Sequence, residues 1–184
     1  MFGDNILAYQ TVFKALAISL GFSPASETAA RMIARAYSDP PSAENQRLEN
    51  CCFFDLTLDS GARMLVEKTK NHGSHFHFRY MPYMLSCVFY GPEAERNALI
   101  VRENLFVDGI GKPLAVLRQA GMYPVPPDRP PGVVYGENGS LFRKRADLVI
   151  RMKIRDNSDE GDGNLPAEMI QAAPEVVVHD NDRV

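Results

Sequence analysis

Three histidines crowd one short stretch, His72-Gly73-Ser74-His75-Phe76-His77. Imidazole is the commonest protein ligand for transition metals. In an extended backbone His75 and His77 share a face, and His72 can fold in from a loop. A zinc site needs three or four convergent donors and further groups that orient them. No Asp, Glu or Cys adjoins the cluster, and Glu67 is the nearest carboxylate. The stretch therefore reads as a polar, pH-sensitive loop. A small metal-dependent hydrolase built on His72, His75 and His77 is the rival reading.

The rest of the chain offers less chemistry. No nucleophile elbow, HExxH pair, Walker loop or dinucleotide fingerprint occurs. Gly109-Ile110-Gly111-Lys112 imitates part of a phosphate loop, but Pro113 stands where Ser or Thr belongs, so it reads as a loop before a helix. Asp55 and Asp59 fall on one side of a strand pattern, more in keeping with a wet face than a metal site. Cys51, Cys52 and Cys87 lack metal-finger spacing and read as reduced thiols. Tyr80, Tyr83, Phe89 and Tyr90 have no interleaved basic groove and read as core and interface, not a base-stacking platform. No catalytic constellation and no cofactor site emerges.

The chain of 184 residues, with 45 % hydrophobic content and a net charge of −3, is expected to form one core and to lack a nucleic-acid footprint. No long apolar run or signal-like start is present, so a soluble protein kept inside a cell, with no membrane partner, is expected.

The organising stretch is Tyr83–Phe106. Both faces of Tyr83–Tyr90 are largely apolar or aromatic, which predicts a central strand. Gly91 turns the corner and Pro92 fits the first helical position. Ala94, Ala98, Val101 and Leu105 then form a buried helical stripe. Before it, a helix is predicted over Asp4–Leu20, capped by Asp4 or Asn5 and stopped at Gly21. Ser26–Tyr37 reads equally as helix and as strand over its second half. Cys51–Asp59 alternates, with Cys52, Phe54, Leu56 and Leu58 inward. Asp59-Ser60-Gly61 predicts a turn, with Arg63–Thr69 as the return strand of a hairpin. The next strand is predicted to begin near Phe78, with Pro82 interrupting it.

Further on, Lys112–Ala120 predicts a short helix ended by Gly121. The proline-rich Tyr123–Pro131 excludes helix and interior strand and reads as an extended connector. Val133–Tyr135 predicts a short strand, and Gly136–Gly139 a turn. Leu141–Arg155 is the clearest strand. Ala146, Leu148, Ile150, Met152 and Ile154 face inward, and Asp147, Val149, Arg151, Lys153 and Arg155 outward. From Asn157 the chain is acidic and Gly/Pro-containing, and reads as a flexible tail, with a brief helix over Leu165–Ala173 and a β-prone island at Val176, Val177 and Val178. The expected fold is α+β, a mostly antiparallel sheet of about four or five strands with helices packed on one face. Its domain spans residues 1–156, followed by a tail over 157–184.

Two of these passages resemble a known family. Leu85–Glu95, LSCVFYGPEAE, is similar to the strand, Tyr-Gly corner and helix passage of bacteriophage neck and tail terminator proteins. Phe142–Ile154, FRKRADLVIRMKI, resembles that family's closing strand, and Asp39-Pro40-Pro41 a proline step after its first strand. The resemblance covers most of Asn5–Arg155 and rests on packing motifs. It implies a virion structural protein, not an enzyme. Such a protein forms a ring, commonly hexameric, at the head–tail junction after assembly in the host bacterial cytoplasm. The ring caps the tail tube, meets head-completion or connector proteins, and lets DNA pass through its lumen. A ring subunit needs two matching patches. The basic candidates are Arg143, Arg145, Arg151, Lys153 and Arg155. The acidic ones are Asp55 and Asp59, or the tail from Asp159 to Asp182, with Val176–Val178 adding a strand to a neighbour's sheet. A host adaptor that recruits a peptide at a sheet edge is a further rival.

Overall fold

The structure, a computed structural model, describes residues 6–36, 50–63, 65–71, 74–138 and 141–156. In chain order the elements are α1 (Ile6–Ser19), α2 (Glu27–Met32), β1 (Ile33–Arg35), β2 (Cys51–Leu58), β3 (Leu65–Asn71), β4 (Ser74–Tyr90), α3 (Ala94–Asn104), α4 (Pro113–Gln119), β5 (Met122–Val125), β6 (Gly132–Asn138) and β7 (Leu141–Asp156). The fold is α+β, as expected. Seven strand segments form one sheet along the path β1-β2-β4-β7-β5, with β3 also on β4 and β6 also on β7. The β1–β2 pair is parallel and every other pair is antiparallel.

Two long strands organise the sheet. β4 and β7 pair from Arg79↔Asp156 to Tyr90↔Arg145. β2 and β3 lie end to end along the other side of β4, on Tyr83–Tyr90 and Ser74–Tyr80. β5 and β6 share the outer side of β7 in the same way.

This arrangement corrects the predicted hairpin between β2 and β3. The Asp59 turn, where Asp59 Oδ1 accepts from Gly61 N–H at 3.2 Å, shifts the chain along β4 without reversing it. β3 instead returns into β4, seventeen residues long, which begins at Ser74 and not near Phe78. Pro82 does not interrupt β4. Its carbonyl accepts from Asp59 N–H at 2.9 Å. An extended residue aims its N and its C=O the same way, so the missing N–H of Pro82 falls in the gap between β2 and β3.

The connector and turn predictions also change. Met122–Val125 of the proline-rich stretch is a strand. Arg155 N–H donates to Gly121 C=O at 2.8 Å, so Pro124 aims its bare nitrogen at the open edge. Gly136–Asn138 continues β6, with Asn138 opposite Leu141.

The inward face carries the core. Cys52, Phe54, Leu56, Leu85, Cys87, Phe89, Leu148, Ile150 and Met152 are all buried against Val12, Leu16, Val101 and Leu117 of the helices. Leu58, predicted inward, is half exposed, because β1 ends opposite Phe54 and leaves it at an edge. The α3 stripe of Ala94, Ala98, Val101 and Leu105 is wholly buried as predicted. Side chains close the helix ends. Asn50 Oδ1 accepts from Glu93 N–H at 2.9 Å, and Asn104 Nδ2 donates to Ser19 C=O at 2.9 Å. Gly21, at φ +82°, lets its own N–H reach Ile18 C=O and that of Phe22 reach Ala17 C=O, which ends α1 where predicted. Ser26 caps α2, and Ile33 begins β1, so Ser26–Tyr37 is helix and then strand over its described part. The proposed Asp4 or Asn5 cap, the Asp39-Pro40-Pro41 step and the tail, with its Leu165–Ala173 helix, lie outside the described residues.

Candidate functional site

Strand alternation puts one set of side chains in the core and leaves the other on the opposite face of the sheet. Among the described residues no helix packs on that second face. Its rows follow from the register. Cys51, Tyr90, Arg145 and Val134 lie side by side, then Phe53, Val88 and Asp147, then Asp55, Ser86 and Val149, and then Thr57, Met84, Arg151 and Val125. Phe53 meets Tyr90 edge-on, ring centres 6.0 Å apart. Val149 is half exposed in the middle of β7.

Charged groups frame this apolar centre. Arg145 forms a two-pronged bond to Asp147, at 2.7 and 2.9 Å, and lies 6.0 Å from the Tyr90 ring centre. The Asp147 carboxylate holds the Arg145 pKa above its ordinary value. Arg151 has a side chain 79 % exposed and reaches Asp59 only at 4.0 Å, a screened surface pair worth little. Lys153 is exposed and Arg155 is half-buried. Tyr80 and Tyr123, opposite Arg155 and Lys153, meet edge-on at 5.7 Å. Among the side chains described on this face, four cations, Arg145, Arg151, Lys153 and Arg155, stand with the carboxylates of Asp147 and Asp59. On the helix side of the sheet Lys144 pairs with Glu95 at 2.7 Å and ties β7 to α3. That hydrogen bond raises the lysine pKa.

The structure thus puts Arg145, Arg151, Lys153 and Arg155 on one face along the length of β7, with Asp59 beside Arg151. Asp55 goes elsewhere. Its Oδ1 accepts from the Tyr9 hydroxyl at 2.8 Å and from Leu56 N–H at 2.9 Å, around the edge of β2. Arg143 is placed in β7 opposite Gly136, and His75 and His77 in β4 opposite Lys70 and Lys68. His72 and Val176–Val178 lie outside the described residues. Among the described residues no three His, Cys, Asp or Glu groups are placed to hold a metal ion.

One feature escaped sequence reasoning. An open groove of about 420 Å³ runs between α1, β1 and β2, lined by Tyr9, Phe13, Lys14, Pro24, Arg35 and Phe54. The Arg35 guanidinium stacks 3.5 Å above the Tyr9 ring. In sequence Tyr9 and Phe13 belong to one apolar stripe, and nothing there signals that the stripe is wider than the sheet beneath it. The groove walls are mostly apolar and the Tyr9 hydroxyl is engaged with Asp55, so the groove suits packing more than chemistry.

The Cys52 and Cys87 thiols are inward and buried, whereas Cys51 lies on the open face and is partly exposed. Burial pushes the Cys52 pKa well up, and a hydrogen bond with Cys87 adds to the shift. No described helix is long and apolar enough to cross a membrane. Comparison with protein-family models and with curated proteins gave no match to this chain.

Proposed function

We propose that the chain is a bacteriophage virion structural protein, a neck or tail terminator whose copies join in a ring at the head–tail junction. In this reading the ring is hexameric, caps the tail tube and offers its other surface to a head-completion or connector protein. DNA passes through the lumen without sequence-specific contacts. The protein assembles in the host bacterial cytoplasm, ends in the virion, and uses no catalytic residue or cofactor.

The observation that carries the reading is the sheet face on which no described helix packs. A sheet with an apolar centre and a charged frame on its second face has the make-up of a protein interface, with a dry middle and a polar rim. The four cations described on it call for an acidic partner patch, and the chain has one of its own from Asp159 to Asp182. Since Asp55 is held by Tyr9, and Asp59 sits beside Arg151 of its own copy, the tail is the better match. A basic face and an acidic tail on every copy make a heterologous contact, which closes into a ring when the rotation allows.

Sedimentation velocity and negative-stain images of the full-length protein test this. The expected result is a discrete ring, weakened by salt. A protein that stays monomeric at high concentration and beside tail-tube protein would overturn it.

A further inference from the structure

Most edges of the sheet are closed by their own residues. Past Arg35 the edge of β2 is covered by Tyr9 and Asp55. β5 contains Pro124 and is followed by Pro126 and Pro127, and the sequence of β3 contains Lys68 and Lys70. β1 is only three residues long. Short length, proline and lysine are the usual protections of a sheet edge. β6, GVVYGEN, has none of them, and its Val134 and Tyr135 are 48 % and 70 % exposed.

The ladder identifies the outward groups. Lys144 C=O accepts from Gly91 N–H at 3.2 Å, so the Lys144 backbone faces β4. Orientation alternates along a strand, and Tyr135 stands opposite Lys144. Tyr135 therefore aims its N–H and C=O away from β7, and so do Val133 and Glu137. No described strand pairs with that line.

We propose that this outer edge of β6 receives the Glu175–Val178 segment of a neighbouring copy as an added strand, so that the sheet continues across the subunit boundary. The proposal rests on the ring reading and names the surface that would receive the tail. Val176-Val177-Val178 is β-branched and is flanked by acids at Glu175 and Asp180. Arg143, Lys144 and Arg145 stand on β7 directly behind β6. Their backbone is about 10 Å from an added strand, so they attract its acids chiefly at low salt, where screening is weak. Main-chain hydrogen bonds supply affinity in such strand addition, and the acids set the partner. Length permits it. The residues 157–174 between β7 and the segment span up to about 60 Å, whereas β7 runs only about 30 Å from Asp147, beside β6, to its end.

Backbone hydrogen exchange of the full chain, read with sedimentation, decides it. In assembled protein the amides of Val133 and Tyr135 should exchange about tenfold or more slowly than in dilute monomer. Val177→Pro should abolish that protection. Tyr135→Pro removes an outward N–H and no bond to β7, so it should weaken assembly while the β6–β7 ladder stays protected. If rings form but neither substitution nor dilution alters exchange at Tyr135, the strand addition is wrong and the ring reading survives. If no ring forms and Tyr135 is unprotected, both fail. If Tyr135 is protected equally at every concentration, the segment comes from the same copy and the neighbour is ruled out.

Discussion

The hydroxyl of Tyr9 on α1 donates to Asp55 Oδ1 on β2 at 2.8 Å, across 46 positions of sequence. The same hydroxyl lies 3.2 Å from Leu56 C=O, and Asp55 accepts from Leu56 N–H. Both outward backbone groups of Leu56, just past the end of β1, are thereby satisfied by side chains.

Tyr9→Phe should cost about 1 kcal/mol, the net worth of such a bond plus the unsatisfied acceptor it leaves. It should also change the response to alkali. Burial first, and then Asp55, raises the Tyr9 pKa. The unfolded phenol ionises from about pH 10, whereas the folded one keeps its proton to higher pH. Stability from this group is full below that point and is lost as pH rises through the folded value. Urea titrations of both proteins between about pH 8 and 11 should show a shallower alkaline loss in the variant. Equal slopes would contradict the shift.

Leu148→Ala and Ile150→Ala should each cost about 2–5 kcal/mol, since both side chains are buried in the sheet–helix core. Arg151→Ala and Lys153→Ala, on the exposed face, should change fold stability by about 0.5 kcal/mol or less. Thermal melts of the four variants check the ordering. Greater damage from the charged pair would place the closing strand in the other register.

The β7 alternation was legible because one face is charged and the other aliphatic over most of sixteen residues. The α3 stripe was legible for the same reason, with Gly91 and Pro92 marking the approach to the helix. The partner of β3 was not, because alternation says which way side chains point and not which strand lies alongside. Only the length of β4, hidden by Pro82, shows that two strands fit on one side of it. Asp55 was misplaced for a related reason. Period two assigned it to the open face, but at a sheet edge a short side chain can turn back to its own backbone. The interaction face itself was half legible: the basic residues were, and the apolar centre from β2 and β4 needed the register.

Gly121 and Gly21 both have positive φ, +70° and +82°, but their surroundings differ. A Cβ at Gly121 would meet Arg155 Cβ at 3.2 Å, whereas one at Gly21 meets nothing within 4 Å. Gly21→Ala should cost about 1–2 kcal/mol from backbone conformation alone. Gly121→Ala should cost more, because β5 must also shift on β7. Denaturant midpoints decide it, and equal losses would mean the contact relaxes freely.

Cys51 is partly exposed, whereas Cys52 and Cys87 are buried. Native protein treated with iodoacetamide should therefore be alkylated at Cys51 first, with the other two modified only after denaturation. Peptide mass spectrometry reads the order. Early labelling of Cys52 would mean that β2 opens locally well below the global unfolding free energy.

Assembly gives the last test. The pair Arg151→Glu and Lys153→Glu reverses charge on the open face without touching the core side of β7. The fold should survive, with a melting temperature close to the parent. Ring formation should not, because like charges would then oppose the acidic tail, and a loss of about tenfold or more in association is expected at low salt. Raising salt should narrow the gap between variant and parent, since exposed pairs beyond about 10 Å are screened near 0.1 M. Exchanging the acids that precede the added strand, Asp159, Glu160, Asp162 and Glu168, for lysine in the same chain should restore assembly if the two patches meet. Sedimentation of the parent, the reversed and the doubly exchanged chains separates the cases. Assembly of the reversed chain as strong as the parent's would remove the basic face from the interface. Loss without rescue would keep the face and assign it a partner other than the tail.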